Sequence, residues 1–413
     1  MSQPLINITR KQAYIFAVFL VLYEFLTYIA NDMIMPGMIK VAQSFNAPES
    51  VIASSLTVYI LGGASLQLFL GPLSDRFGRR PVMLSGALLF FVFTLFTAVS
   101  LSINQFLLAR FFQGMGLCFI GVIGYATLQE IFAEMDAVRL ISIMANVSIL
   151  APLLGPILGV VFIHYYSWRI IFLIIAVFAL VALWGLWRFM PESVGQIKRD
   201  GGQIKVEPLS LGVILSNYKT LLLTRPFMLG TIGYGLLALP CVAWIALSPV
   251  ILVLDAKLSM IQYGLWQLPL FGMFILGSVF LQRLTHVYSI RTLSWIGILT
   301  SMTGLITMMA MVVLMGDGYT SLLPGLIIYF FGYGIASSPL NRFILFSTHI
   351  SKGTASALIS MLTMTIQGLG IELINLIYVS QYNYALGVSC GAIGLISMIF
   401  FVGSFLNSQS KIV

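Results

Sequence analysis

The chain has 413 residues, 59% of them hydrophobic and only 8% charged, with a formal net charge of +8. That composition excludes a soluble globule, which could not hide so much apolar surface behind so few charges. The basic excess points to membrane topology and anionic inner-leaflet lipid, since no DNA- or RNA-binding pattern accompanies it.

A spanning helix needs about 20 apolar residues. In the first half, the apolar runs predict spans over residues 12–36, 50–71, 81–100, 104–128, 138–162 and 168–190. In the second half they predict 226–253, 261–283, 291–315, 320–345, 353–379 and 383–407. These runs far exceed the ten or so alternating residues of a barrel strand. The expected fold is an all-α membrane protein of twelve transmembrane helices in two six-helix bundles, residues 1–190 and 226–413. The polar, glycine-containing segment 191–225 reads as the cytoplasmic linker between them. Six spans plus six is the organisation of transporters built from two repeats around a midplane site.

Basic residues set the orientation. With the N-terminus inside, the inner loops hold Arg10, Lys11, Arg76, Arg79, Arg80, Arg139, Arg188, Lys198, Arg199 and most others, while the outer loops keep only Lys40, Arg169 and Lys257. Both termini are therefore expected to be cytoplasmic. The first span has no cleavable small-residue site and is expected to stay in the mature chain. Cys118, Cys241 and Cys390 lie in predicted spans with neither disulfide nor metal spacing, so they read as packing residues and no metal site is expected.

The first span carries Glu24 and Asp32 within FLVLYEFLTYIANDMIMPGM. A charge at mid-bilayer costs roughly 2.5 to 3.5 kcal/mol on insertion scales, so such residues are usually functional. Glu24, Tyr28, Asn31 and Asp32 fall at i, i+4, i+7 and i+8, one polar stripe on an apolar helix. The stripe implies a water-accessible cavity and protonation at this helix, though either carboxylate could instead cap or snorkel.

The loop after the second span reads GPLSDRFGRRPV. Gly71 and Gly78 permit close approach and a tight turn, while Asp75, Arg76, Arg79 and Arg80 supply a charged latch at the inner surface. Plain anchoring by basic residues explains the arginines but not Asp75 with the glycine spacing. The corresponding loop after the eighth span, QRLTHVYSIRTL, is a degraded basic echo.

Arg110, in ARFFQGMG of the fourth span, lies at a depth similar to Asp32, and pairing would lower the cost of both. A purely structural pair is the alternative. Glu24 is left without an obvious counter-charge, which makes Asp32 the more central to coupling. In the fifth span, Ala151, Gly155 and Gly159 repeat every fourth residue and form one smooth packing face, and Pro152 and Pro156 restrict the helix. Generic small-residue packing explains that spacing as well. Glu372, near the outer end of the eleventh span, is a third proton site, part of an outer gate, or an interfacial residue. Glu130, Glu134 and Asp136 read as solvated loop charges or as partners for the latch arginines.

These segments resemble the multidrug/proton antiporters of the major facilitator superfamily. The likeness is carried by LVLYEFLTYIANDMIMPGM, LGPLSDRFGRRPVML, LARFFQGMGLCFIGVIGYATLQE and MANVSILAPLLGPILG. It is dense over residues 15–193 and looser afterwards, in LPCVAWIALSPV, HISKGTASA and GLGIEL. The loop motif has the superfamily form G-x-L-x-D-R-x-G-R-R/K, and Gly155 to Gly159 matches the G-P-x-x-G signature of the drug/proton antiporter branch. The resemblance implies that Glu24 and Asp32 are the family's two membrane carboxylates, serving proton coupling and substrate competition. It makes Arg110 the family's helix-4 arginine and sets Asp75 against the start of the eleventh span, holding the inner side shut. It places Tyr28, Asn31, Asp32, Leu56, Tyr125, Met144, Ser148 and Gln367 around the substrate cavity. Leu56, Ser148 and Gln367 depart from the methionine, alanine and phenylalanine expected there, which leaves the cavity's shape and drug spectrum open.

The implied function is proton-coupled efflux of lipophilic cationic and neutral drugs across a bacterial inner membrane, by a monomer working through alternating access. The proton gradient is the energy source. No cofactor is implied, and the chain has no G-x-x-x-x-G-K-[ST] loop for ATP. Alternatives are an exporter of one sugar, siderophore or amino acid, a proton-coupled importer, or a non-transporting sensor. An enzyme is the least expected, since no Ser/His/Asp, Cys/His or metal-ligand set is visible.

Overall fold

In the computed structural model, which describes residues 3–199, 201–204, 211–378 and 383–409, the apolar runs fold as helices. Hydroxyl caps start many of them. The Thr9 side chain accepts the Gln12 N–H at the start of α1 (Arg10–Asp32). Ser259 and Gln262 form a reciprocal capping box farther along the chain. Each cap satisfies backbone donors that the first turn leaves without partners.

A short turn (Met35–Gly37) and a helix (Met38–Ser44) continue α1. The next span, α2, is in two pieces, Val51–Ser65 and Gln67–Phe77, bent by 41°. It is followed by α3 (Arg79–Val99), α4 (Ile103–Ile131), α5 (Glu134–Tyr165) and α6 (Trp168–Phe189). A shorter helix, α7 (Leu211–Leu223), leads into α8 (Arg225–Asp255), α9 (Met260–Leu284) and α10 (Ile290–Met315). The chain closes with α11 (Tyr319–Leu345), α12 (Lys352–Ile377) and α13 (Asn383–Gln409). Among the described residues, ten helices are long and apolar enough to cross a membrane, or eleven with the pieces of α2 taken as one. The sequence predicts twelve. The difference falls on α5, a 32-residue helix whose apolar stretch among the described side chains is Leu150–Tyr165.

Packing divides the chain into two compact units, one of Met1–Ile34 with Val58–Leu215 and the other of Met35–Thr57 with Ser216–Val413. In the first, α1 packs on α5 and α6, and α3 packs on α4 and α6. Within the second, α10 packs on α11 and α13, and α8 on α12 and α13. Gly297, Gly304, Gly325 and Gly332 sit where a Cβ would overlap the opposite helix, so α10 and α11 touch backbone to backbone. The segment Met35–Thr57 belongs to this second unit. There, the Ser54 hydroxyl donates to both carboxylate oxygens of Glu372 (3.2 and 3.1 Å), and Asn375 Nδ2 donates to the Ser50 carbonyl (3.0 Å).

The segment after α6 is structured over its described residues. It folds back as a small hairpin, with the Gly195 N–H on Ile204 O, Lys198 N–H on Gly202 O, and a bridge between Ile197 and Gln203. The N-terminal tail joins it: the Leu5 N–H donates to Ile131 O at the end of α4, and the Arg199 N–H donates to Leu5 O.

One side chain is built into the backbone ladder of α8. Pro240 lies inside this helix. Beside it the buried Tyr329 hydroxyl donates to Leu237 O (2.7 Å) and accepts from the Cys241 N–H (3.2 Å). Residues 237 and 241 are an i, i+4 pair, so the hydroxyl stands in the place of one helical hydrogen bond. Removing it leaves a buried donor and acceptor to find new geometry, at about 1–3 kcal/mol. Tyr329→Phe is therefore expected to lower the melting temperature of the purified protein, whereas Tyr319→Phe, at the start of α11, should not. Equal melting temperatures for both variants would refute the bridging role.

Candidate functional site

The polar stripe of α1 sits in the first unit against α4 and α5. Glu24 is fully buried, and Asn31 and Asp32 are nearly so. Glu24 and Asp32 are eight residues apart, about 12 Å along the helix axis. Each has its own surroundings.

Arg110 organises the Asp32 end of the stripe. It is fully buried. One terminal nitrogen donates to Asn31 Oδ1 (2.6 Å), and the other to Gln113 Oε1 (2.7 Å) and the Ala30 carbonyl (3.3 Å). The Gln113 amide in turn donates to Thr94 Oγ1 on α3 (2.9 Å). The guanidinium lies 4.3 Å from the centre of the Tyr59 ring, and the Tyr59 hydroxyl donates to the Thr27 carbonyl. A planar fork meeting several acceptors and an aromatic face is a task for arginine rather than lysine.

The sequence pairs Arg110 with Asp32 directly. The structure instead passes the link through Asn31, whose amide nitrogen donates to Asp32 Oδ1 (3.2 Å) while its oxygen accepts from Arg110. Among the described residues no Arg110–Asp32 ion pair is formed. Asn31 takes the acceptor position because it precedes Asp32 by one residue and so faces a different side of the helix, toward α4.

Close packing makes this geometry possible. A Cβ on Gly62 would overlap the Phe111 carbonyl, and one on Gly114 would overlap the Tyr59 carbonyl. The α2 and α4 backbones therefore touch on either side of Arg110. On α5, a Cβ at Gly155 would stand 2.6 Å from the Asp32 Cβ. The fifth-span glycine thus presses directly on the α1 carboxylate residue. Ala151, Pro156 and Gly159 are buried along the same helix, and Pro152 is half-buried.

At the other end of the stripe, the Tyr125 hydroxyl donates to Glu24 Oε1 (2.8 Å). Tyr125 comes just after a π-helical turn in α4, Ile120–Gly124. Such a turn adds one residue to the helical repeat and rotates the downstream side chains about the axis, and π turns are frequent at functional sites. Tyr28 is half-buried and Met144 fully buried in this unit, while the side chain of Ser148 lies outside the described residues. Leu56 and Gln367 fall in the second unit. Sequence reading did not single out Tyr59, Thr94 or Thr27. Gln113 could have been found, as the glutamine of the R-x-x-Q-G pattern.

The loop motif forms a separate network where α2 turns into α3. Gly78 has φ of +103°, a conformation that favours glycine, and it turns the chain between α2 and α3. Arg79 pairs with Asp75 (2.5 Å) and Glu130 (2.8 Å). Of the acidic residues near the end of α4, Glu130 is therefore an arginine partner, and Asp136 lies 3.7 Å from Arg139. The Ser193 hydroxyl donates to Glu130 Oε2 (2.5 Å). Glu192 accepts from four backbone N–H groups: Arg79, Ser193 and Val194 on one oxygen and Arg80 on the other. It caps α3 and docks the start of the linker on the motif loop. Gly71 is half-buried, and Arg76 is exposed.

A family model described as the Major Facilitator Superfamily matches residues 20–371. The chain belongs to that superfamily of membrane transporters. Its similar relatives are more particular. A protein of Edwardsiella ictaluri (strain 93-146), named Multidrug transporter MdfA, is 43% identical over 389 residues, covering 94% of this chain and 91% of that one. Proteins of the same name from Yersinia pestis bv. Antiqua (strain Angola) and Escherichia coli O157:H7 are each 44% identical. They cover 89% and 88% of this chain, and 88% and 87% of their own lengths. Among solved structures, a D-xylose–proton symporter superposes with a TM-score of 0.72 at 16% identity, covering 94% of this chain and 97% of that one. A bacterial homologue of the human lysosomal transporter Spinster, inward-facing, gives 0.71 at 13% identity and 98% coverage of both chains. These two show the fold alone.

Two substitutions test the geometry. Arg110→Lys keeps the charge but loses the fork, and with charge-assisted hydrogen bonds worth about 1.5–3 kcal/mol each it should lower the melting temperature by several degrees. An unchanged melting temperature would show that the fork does not hold α1, α2 and α4 together. Gly155→Ala should depress transport in cells at equal protein level, whereas Gly272→Ala, where a Cβ meets nothing within 4 Å, should leave it intact. Equal transport by both would remove the contact between Gly155 and Asp32 from the account.

Proposed function

We propose that this chain is a secondary antiporter that exports lipophilic drugs, cationic and neutral, in exchange for protons across a bacterial inner membrane. Both termini face the cytoplasm in this reading. The observation that carries it is the pair of buried carboxylates on one stripe of α1, with Asp32 tied through Asn31 to a fully buried guanidinium. The name shared by the similar relatives, multidrug transporter, supports the substrate class.

The mechanism rests on charge. An ionised Asp32 beside the fixed Arg110 cation makes a near-neutral set. Protonating it removes the negative member, alters the balance around Asn31, and frees the site of its attraction for a cationic substrate. Proton and cation thus compete for one charge, while a neutral substrate needs only the shared cavity. Neutralising a buried carboxylate also removes its desolvation cost, so the proton shifts the balance between conformations. Glu24, held by Tyr125, is a second proton-accepting group deeper in the stripe. The motif loop, through Asp75, Arg79 and Glu130, acts as the inner latch that this cycle opens and closes, with Gly71, Arg76, Gly78 and Arg80 shaping it.

The test is dye and antibiotic efflux from cells with and without a proton gradient, together with proton release on substrate addition to purified protein. Asp32→Asn should abolish both gradient-driven efflux and proton release, and Glu24→Gln should weaken them while leaving binding of neutral compounds. If both variants keep efflux and proton release intact, carboxylate coupling is wrong. Efflux of one compound alone among several unrelated ones would point instead to a dedicated exporter.

A further inference from the structure

Beside the motif loop, the first unit contains a cavity away from the carboxylate stripe of α1. It encloses about 360 Å³ and is lined by Arg80 at the start of α3, Arg188 at the end of α6, Asn7 of the N-terminal tail, Gln12 of α1, and Glu192 and Gln196 of the segment after α6. Ile6 and Met190 give it an apolar wall.

Its charge is lopsided. Glu192 is the one acidic group in the lining, and its two oxygens already accept four backbone N–H bonds. Neither guanidinium has a carboxylate partner among the described residues. Arg80 spends one terminal nitrogen on the Trp187 carbonyl (2.6 Å), while its buried Nε makes no hydrogen bond among the described residues. Arg188 lies 5.6 Å from the Phe189 ring centre and is exposed. Two guanidinium forks and the amides of Asn7 and Gln196 around one space suit an anion with several acceptor oxygens. Phosphate is the usual partner of such forks.

The surroundings indicate where that phosphate comes from. On α6 just before Arg188, Trp184 and Trp187 are 54% and 57% exposed. Exposed indoles beside basic residues mark the level of lipid headgroups, and basic pockets among spans on the cytoplasmic side bind anionic headgroups. We propose that this cavity binds the phosphodiester headgroup of an anionic phospholipid of the inner leaflet, with Arg80 and Arg188 as its ligands. The bound headgroup braces the Arg80 end of α3 next to Arg79, and so ties the occupancy of a lipid site to the latch. The proposal rests on the reading of this face as cytoplasmic. Its test reads lipid binding on purified protein, so it can fail while drug efflux stands.

The experiment is thermal stabilisation and native mass spectrometry of the full chain in detergent, with phosphatidylglycerol, phosphatidylcholine or inorganic phosphate added. Phosphatidylglycerol should bind and stabilise, and the other two should not. Arg188→Gln should weaken phosphatidylglycerol binding about tenfold, as expected for loss of a charge-assisted contact. Gln196→Glu, which adds an anion to the lining, should weaken it as well, and Lys219→Gln on α7 should leave it unchanged. Equal binding by Arg188→Gln, Gln196→Glu and the parent chain would overturn the site. Equal binding of phosphatidylcholine would overturn anion recognition. An Arg188-dependent shift saturated by inorganic phosphate alone would assign the cavity to a free anion and overturn the lipid.

Discussion

A buried guanidinium needs acceptors for its protons, and in the first unit the terminal nitrogens of Arg110 find theirs on α1 and α4, while its Nε makes no hydrogen bond among the described residues. Arg110 takes the end of α1 through Ala30 and Asn31, the face of Tyr59 on α2, and Gln113 on its own helix, which Thr94 of α3 holds in place. Leaving such a cation with even one acceptor fewer is costly in a low dielectric. The positions of α1, α2, α3 and α4 are therefore not independent. The glycines that let α2 and α4 touch serve the same end, since a thicker interface would lift Tyr59 off the cation.

Asp32 meets this arrangement at one remove. It does not neutralise Arg110 by contact but shares an amide with it, and an amide relay can be re-made without pulling two full charges apart. A direct buried ion pair would resist change, because separating its members exposes both to desolvation. A relay through Asn31 keeps the carboxylate within the field of the cation without a direct contact between the two charges. Gly155 adds a mechanical coupling: its missing side chain lets α5 rest on Asp32, so a change at the carboxylate is felt by α5 and a shift of α5 is felt at the carboxylate. The G-P-x-x-G segment of α5 and the α1 carboxylate residue thus meet in one contact, at Gly155.

Much of this was legible in the sequence, for definite reasons. Apolar runs longer than a bilayer is thick announce spans, and the spacing of Glu24, Tyr28, Asn31 and Asp32 announces a stripe. Arg110 was visible as a costly charge at the right depth. Its immediate partner was not, because depth cannot say which of two neighbouring polar residues turns toward the fork. The π turn before Tyr125 left no signal beyond the glycines of IGVIG, since one inserted residue does not disturb an apolar pattern. The fate of Met35–Thr57 was also hidden. It reads as the continuation of the first span and the start of the second, yet Ser54, Glu372 and Asn375 tie it into the second unit.

The segment after α6 does more than join two runs of helices. A polar run with paired glycines reads as a linker, which by itself implies no contact with the helices it joins. Glu192 instead caps α3 at the Gly78 turn, and Ser193 holds the carboxylate that pairs with Arg79. Four backbone donors on one carboxylate fix both the start of α3 and the exit of α6, so neither helix can turn about that end alone. The N-terminal tail adds to this, lying between the end of α4 and the hairpin through Leu5. Movement of the motif loop must then carry the tail and the hairpin with it, or break the cap. The first part of the linker is thus built into the network of the motif loop, and Arg80 of the cavity lies at the same helix end.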